Sequence, residues 1–524
     1  MIRVGDLPSD WDLVIVGGGI TGAGIFREAA RMKLRVLLVE QKDFAWGTSS
    51  RSSKLVHGGL RYLKQKKLWL TRASVRERER MLKEAPGLVD PLEFLFPVYE
   101  GCRPSKWEME AGLSVYSLLA RERQHTFLAA HDVRKKLPGI LAEGLSGGFR
   151  FVDGQTDDAR LVLRLLQEGR HEGGFACNYT KALSVLRHRN GTVAGCVLED
   201  TESGRQKEIR TPAVISAIGA WAETLQPFPD KGTGIRPLRG SHLVIPAHRM
   251  QLDRAVSLVH PADNRPIFIL PWEGAVLLGT TDVDHGEELS REPFITPQEV
   301  DYLLEGVNTY FAQEAIQRKD CVACFAGVRP VLGDGRRAPS EESREHAVWA
   351  QKGLATVTGG KLTTFRLLAW DALEAVKRYL PKKRLRGRGA VVFPDYQVPK
   401  SIRRIHPAGR LRRWYGRYGR EATDMLKQKD GEEIADIPGT RSSWAELTHA
   451  AGNEMVIHLE DLLLRRVRMG LLLPDGGRGY LEKIERICEP RLNWGAEKWA
   501  HEKKAYGELW ERAYRVPGTG RKTK

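Results

Sequence analysis

Residues 12–40 read D-L-V-I-V-G-G-G-I-T-G-A-G-I-F-R-E-A-A-R-M-K-L-R-V-L-L-V-E, and no other stretch of the 524-residue chain restricts its fold as tightly. The apolar run before Gly17 predicts a buried strand, the alanine-rich run after Gly19 a helix, and the second apolar run a strand ending at Glu40. Gly17, Gly19 and Gly22 form G-x-G-x-x-G at the strand-to-helix turn. The first permits the tight turn, the second lets backbone approach a pyrophosphate, and the third lets helix and strand pack closely. The pyrophosphate then meets the positive end of the helix dipole. Glu40 would accept hydrogen bonds from a ribose hydroxyl and disfavours a 2′-phosphate. The unit predicts a dinucleotide site without choosing the dinucleotide.

A chain this long exceeds what one hydrophobic core serves, so two or three domains are expected. Lys and Arg number 83 against 66 Asp and Glu, a formal net charge of +17 that suits anionic partners: nucleic acid, acidic headgroups or phosphorylated substrates. No leader-like start and no run of about 18 apolar residues appears, so neither secretion nor a membrane span is expected. The cysteines, Cys102, Cys177, Cys196, Cys321, Cys324 and Cys488, do not form a disulfide framework, which fits a reducing compartment. Cys321 and Cys324 form the one C-x-x-C, in a strand-like run with no partner pair for zinc or an iron–sulfur cluster, and no metal is expected.

Beyond the first unit, residues 68–83 have a charged helical pattern. Two strands are expected to meet in a hairpin at Arg189, Asn190 and Gly191, and A-V-I-S-A-I-G at 213–219 reads as a strand returning to the nucleotide sheet. Strand-like runs dominate 240–284 and imply a second, substrate-facing sheet. T-V-T-G-G-K-L-T-T-F-R at 356–366 reads as strand, glycine pair and a helix starting at Lys361, aiming helix amides at a ligand. The expected domains are 1–380, nucleotide-binding with a substrate sheet interleaved at about 80–150 and 235–345; a basic linker, 381–390; and a helical domain, 391–524. Within the last, Met455, Leu459, Leu462, Leu463 and Val467 follow the 3.6 period of a helix, with Arg465, Arg466 and Arg468 nearby.

Immediately after the nucleotide unit, T-S-S-R-S-S-K-L-V-H-G-G-L-R-Y-L at 48–63 offers small donors and a backbone that can approach a flat ring. Its S-S-K-L-V-H-G-G-L-R-Y-L resembles a motif of the FAD-dependent glycerol-3-phosphate dehydrogenases. So do, in that family's order, D-D-A-R-L-V-L (157–163), G-T-T-D (279–282), G-V-R-P (327–330) and G-G-K-L-T-T-F-R (359–366). The resemblance spans roughly residues 11–370, and E-M-V-I-H-L-E-D-L-L-L-R-R-V-R-M-G (454–470) resembles the family's helical cap.

The resemblance implies an α/β plus α architecture: a Rossmann-like FAD-binding domain of the D-amino-acid-oxidase/glutathione-reductase type, an antiparallel-sheet substrate domain and a C-terminal helical cap. It implies oxidation of sn-glycerol 3-phosphate to dihydroxyacetone phosphate by hydride transfer to flavin N5, with electrons passed to a membrane quinone. Arg61, Tyr62, Arg329, Arg344 and Lys361 would bind substrate, a cluster suited to a phosphate dianion because arginine's planar fork grips it bidentately. Arg344 lies in a loosely matching loop. Catalysis would fall to Arg329, Lys361 and a base, for which His57 and His242 are both candidates. The cofactor would be held by Gly17, Gly19, Gly22, Glu40, Thr48, Ser49, Ser50, Ser53, Lys54, His57, Gly219, Gly360, Lys361, Leu362 and Thr363. Oxygen as acceptor, an amine or amino-acid oxidase of the same fold, and an RNA-binding flavoprotein are the alternatives.

Two segments could own the positive charge. Residues 401–420 interleave arginines with Trp414, Tyr415 and Tyr418, a pattern for RNA, an acidic bilayer surface or a solvated helix face. The apolar residues of 107–119 could dip into a membrane interface or pack in the core. The family resemblance favours peripheral attachment to the cytoplasmic face of the cell membrane, with no nucleic acid; a homodimer is left open.

Overall fold

The computed structural model describes residues 4–59, 68–120, 125–228, 234–312, 315–333, 342, 345–381, 385, 387–427 and 434–519. The fingerprint folds as read: strand Leu13–Val16, helix Ile20–Arg31 and strand Val36–Val39, with both strands wholly buried and parallel. Gly17 adopts φ +112°, and a side chain there would strike the Ala217 carbonyl. A Cβ on Gly22 would stand 1.8 Å from the Gly17 carbonyl oxygen, so the third glycine is what lets the helix lie against the turn.

Strand Val214–Ser216 returns beside Leu13–Val16, strand Leu354–Gly359 beside it in turn, and Phe175–Cys177 closes the far edge beyond Val36–Val39. With His346–Gln351 these make a six-stranded sheet. Helices Ile20–Arg31, Asp158–His171 and Phe365–Val376 pack on it around an alanine- and leucine-rich core. The expected hairpin is present, Thr180–Arg187 against Val193–Asp200, in a separate three-stranded sheet.

The second sheet is larger than the sequence pattern implied. Its backbone runs through Gly234–Pro246, Ala255–Val259, Pro266–Trp272, Ala275–Gly279 and Ala323–Gly333, then on to Val89–Tyr99 and Leu145–Thr156, with Leu55–Val56 at the edge. That edge strand carries the 48–59 segment from the nucleotide sheet to the substrate sheet. Cys324 lies on strand Ala323–Gly333 and Cys321 just before it; both are buried thiols.

The C-terminal part is helical, but it is not a cap resting on a finished domain. Leu459, Leu462, Leu463 and Trp499 share one hydrophobic cluster with Phe94, Phe151, Val244 and Phe325 of the large sheet. The 3.6-period reading of 455–467 needs correction: Met455 has φ +51°, and Asp461–Arg466 is a single π-helical turn. The arginine–aromatic segment also differs from a surface-binding face. It forms helices Lys400–Ile405 and Ala408–Tyr418, and Trp414, Tyr415 and Tyr418 are buried. Arg413 and Arg417 turn inward to Glu273, at 2.6 and 3.4 Å. A 3.6-residue spacing places a stripe on one helix face without saying which face is wet. No helix among the described residues is long and apolar enough to cross a membrane.

Candidate functional site

A cavity of about 1360 Å³ opens along the carboxyl ends of the nucleotide-sheet strands. The strand ending at Gly359 stands three places across this sheet from the one ending at Val39, which by strand spacing is about 14 Å. The cavity is therefore a trough at the topological switch point, the place where open α/β sheets bind extended ligands.

At one end Glu40 lines it, half-buried. Its Oε2 accepts from Gly18 N at 2.7 Å and its Oε1 from Lys42 N at 3.0 Å. Desolvation pushes its pKa up, opposed by these two amides. A carboxylate offers about four acceptor sites, so the two amides leave capacity for ribose hydroxyls. Gly17 and Gly19 line the middle, while Gly22 lies beneath against the Gly17 carbonyl. Ile20 N, at the open end of helix Ile20–Arg31, donates to Ser49 Oγ at 2.9 Å. This joins the 48–53 turn to the site where a pyrophosphate would sit. Thr48, Ser49 and Ser52 line the cavity, and Thr48 Oγ1 donates to the Val328 carbonyl of the substrate sheet.

At the other end stand Gly219, Gly359, Gly360, Lys361 and Leu362. The helix does not start at Lys361: a 3-10 turn, Leu362–Thr364, precedes helix Phe365–Val376. Lys361 Nζ donates to Ser74 Oγ at 3.1 Å. Thr363 is buried and faces away, its Oγ1 accepting from His57 N at 3.1 Å, which ties this turn to the 48–59 segment. His57 is half-buried.

The substrate sheet supplies the opposite wall. Pro330 lines the cavity, and its neighbour Arg329 lies over Gly240, where a Cβ would meet its guanidinium at 2.2 Å. Arg329 Nη1 donates to Asp282 Oδ1 at 3.0 Å and Nη2 to Thr280 Oγ1 at 3.0 Å; the side chain keeps 22% exposure. His242 is 1% exposed, stacked on Phe325, with Nε2 2.9 Å from Ser53 Oγ. Burial, then the charges of Lys54 and Arg329, pushes its pKa well below the usual imidazole value, so the ring is neutral.

Ser50, Ser53, Lys54, His57 and Thr363, expected to contact the cofactor, do not line the cavity; Ser50 and Lys54 are turned into the protein. Lys54 is fully buried, its Nζ on Asp158 at 2.8 Å and the Ser50 carbonyl at 2.6 Å; burial lowers its pKa to about 8 against the pull of Asp158. Ser50 is likewise buried and meets the network through its carbonyl. Both point away from the cavity because the 50–54 segment is anchored on helix Asp158–His171. Arg61, Tyr62 and Arg344 lie outside the described residues.

Sequence reasoning missed Trp46, Tyr179 and Lys181, which also line the trough, and the C-terminal His458, Glu460, Glu502 and Arg512 at its rim. Trp46, between Glu40 and the serines in A-W-G-T-S-S, carried a signal; the rim residues carried none. His458 donates toward Glu502 at 2.9 Å and Glu202 at 3.3 Å. Burial works against its charge, but Glu502, Asp461 and Glu202 raise its pKa to about 9. No group of His, Cys, Asp and Glu among the described residues could hold a metal.

The trough length, the acid at one end and the glycine-rich turns fit a flavin dinucleotide. Residues 12–366 match the family of FAD dependent oxidoreductases, and residues 388–499 match the C-terminal domain of alpha-glycerophosphate oxidase. The chain is 34% identical to glycerol-3-phosphate dehydrogenase 2 of Mycobacterium bovis, the similarity covering 93% of this chain and 86% of that one. It is 31% identical to the aerobic glycerol-3-phosphate dehydrogenase of Staphylococcus saprophyticus, covering 94% and 93%. Among solved structures, the glycerol-3-phosphate dehydrogenase of Bacillus halodurans complexed with FAD superposes with a TM-score of 0.75 at 26% identity, covering 96% and 95%.

Proposed function

This chain belongs to the FAD-dependent glycerol-3-phosphate dehydrogenases, and on that premise we propose that it oxidises sn-glycerol 3-phosphate to dihydroxyacetone phosphate and passes the electrons to a membrane quinone. One observation carries the substrate reading: Lys361, just past the nucleotide-sheet strand ending at Gly359, lines the trough, and Arg329 directly precedes Pro330, the substrate-sheet residue that lines it too. Two fixed cations beyond the flavin end suit a phosphate dianion, and arginine's fork suits it best. FAD held there would supply the acceptor for the C2 hydride and the carrier of the electron pair toward the quinone. Lys361 and Arg329 hold the phosphate, and the helix-entry turn at 359–364 presents backbone amides to the flavin end. The C2 hydroxyl proton goes to His57. His57 is the half-buried candidate, whereas His242 is sealed behind Phe325 with Nε2 engaged to Ser53.

Anaerobic addition of sn-glycerol 3-phosphate is expected to bleach the flavin, with glycerol and D-amino acids leaving it oxidised. Bleaching by a D-amino acid alone would overturn the substrate reading in favour of an amino-acid oxidase. Reoxidation by a quinone analogue faster than by dissolved oxygen is expected; the reverse order would make the protein an oxidase.

We also place the protein on the cytoplasmic face of the membrane, attached peripherally. Supporting this, Trp69 (78% exposed) on helix Leu68–Glu84 and Trp107 and Leu118 (both 77%) on helix Lys106–Ala120 stand on two helices packed together. Exposed tryptophans suit the headgroup level of a bilayer.

A further inference from the structure

Three buried arginines of one short C-terminal segment reach two loops of the trough. Arg465, Arg466 and Arg468 are each 1% exposed or less. Arg465 Nε donates to Asp43 Oδ2 at 2.5 Å, and Arg466 donates to the same carboxylate from Nη1 at 2.6 Å and from Nη2 at 2.8 Å. Asp43 sits in the loop leaving Glu40, between Lys42 and Trp46, which both line the trough. Burial alone would raise the Asp43 pKa, but Arg466 and Arg465 bring it down to about 2, so the carboxylate stays charged and gripped.

Arg468, two residues on, serves the 48–53 turn. Its Nη1 donates to the Ser50 carbonyl at 3.3 Å, and its Nη2 to Asp158 Oδ1 at 2.5 Å and Asp157 Oδ1 at 2.9 Å. Asp158 Oδ2 accepts in turn from Ser52 N at 2.9 Å and Ser52 Oγ at 2.8 Å, and Ser52 lines the trough. Lys54 closes the circuit on Asp158 and Ser50. Arg468 holds a left-handed backbone, φ +59°, an uncommon conformation for a residue with a side chain and one that surrounding contacts must sustain. A buried guanidinium is costly unless paired, so each of these arginines is committed to one geometry, and through it so is the loop it holds.

We propose that residues 465–468 form an arginine clamp that pre-shapes the cofactor trough: Arg465 and Arg466 are positioning residues for the adenosine end, and Arg468 for the pyrophosphate turn at 48–53. The clamp rests on the assignment of FAD to the trough with its adenosine at Glu40. Holding both loops from one segment means that the nucleotide meets a formed site instead of ordering two loops as it binds, and pre-organisation of this kind is gained as affinity.

The test uses Arg466→Gln, Arg468→Gln and, as a comparably buried control away from the trough, Tyr418→Phe, whose hydroxyl donates to Glu446 at 2.9 Å. FAD is titrated into deflavinated protein, and the absorption spectrum of each holoprotein is recorded. Both arginine variants are expected to bind FAD about ten-fold or more weakly. Arg468→Gln is also expected to shift the bound-flavin absorption and to lower kcat more than it raises KM, Arg466→Gln to leave the spectrum as in the parent, and Tyr418→Phe to change thermal stability alone. Parent-like FAD affinity in both folded arginine variants would overturn the clamp, as would equal losses in Tyr418→Phe. Should Arg468→Gln not fold, Asp158→Asn is read in its place, and parent-like FAD affinity with a parent-like spectrum there overturns the role given to Arg468. A parent that binds no FAD would instead refute the cofactor assignment beneath the proposal.

Discussion

Arg329 and Arg468 belong to opposite sides of one trough and are used in opposite ways. Arg329 keeps 22% exposure and meets, among others, the Asp282 carboxylate and two threonine oxygens, so part of its side chain is still reached by water. Arg468 has almost none and meets two carboxylates and two backbone carbonyls. The difference lies in what surrounds each guanidinium, not in the residue type. A cation that recognises substrate must be reachable from solvent, whereas one that shapes the fold is buried on its partners. Charge at the rim is different again, since His458 shares its proton with carboxylates while facing water.

Breaking the saturated side is expected to cost the most. Asp157 accepts from Arg468 and Arg417, and although burial would raise its pKa, those cations hold it far below the usual carboxylate range. Asp157→Ala leaves both guanidiniums partly unpaired in a dry site, and a loss of about 3–5 kcal/mol is expected in denaturant unfolding. A loss under 1 kcal/mol would put Arg468 among arginines that tolerate water.

The rim histidine should matter less, and only over part of the pH scale. His458 has a folded pKa of about 9 against an ordinary 6.5, so between those values only the folded chain keeps the proton. Its contribution is full below about pH 6.5 and vanishes as pH rises through 9. Discounted for its partial exposure, His458→Gln is expected to lower stability by about 1–2 kcal/mol at pH 6 and by nothing at pH 9.5. Equal losses at both pH values would remove the protonated ring from the account. Smallest of all is the surface pair Arg210–Asp10, 72% and 56% exposed. Arg210→Ala is expected to leave the thermal midpoint unchanged at physiological salt.

What could be read in the sequence follows from whether the physics is local. The strand–glycine–helix unit, the hairpin at Asn190–Gly191 and the glycine pair before Lys361 are short-range patterns, and the chain folds at those places much as they imply. Lys54 read as a cofactor contact because it sits among serines that are. Its direction is set by Asp158, 104 residues away, which no local pattern reveals. The arginines at 413–417 read as part of a candidate basic surface, and those at 465–468 as neighbours of a helical stripe, for the same reason: their partners Glu273, Asp43 and Asp157 lie 140, 422 and 311 residues away. A charged residue inside an apolar run, such as Arg465 after L-L-L, was the available hint, because such a residue must be paired if the run is buried.

The central claim is that Arg329, the part-exposed arginine on the substrate sheet, receives the phosphate of glycerol 3-phosphate beside the flavin. Anaerobic rapid mixing of FAD-loaded Arg329→Ala with sn-glycerol 3-phosphate tests it most directly. Its FAD content should match the parent's, while flavin bleaching at sub-saturating substrate should slow by about 10²–10³-fold, the loss of a charge-assisted contact worth some 3–4 kcal/mol. Bleaching at the parental rate with FAD bound would contradict the claim.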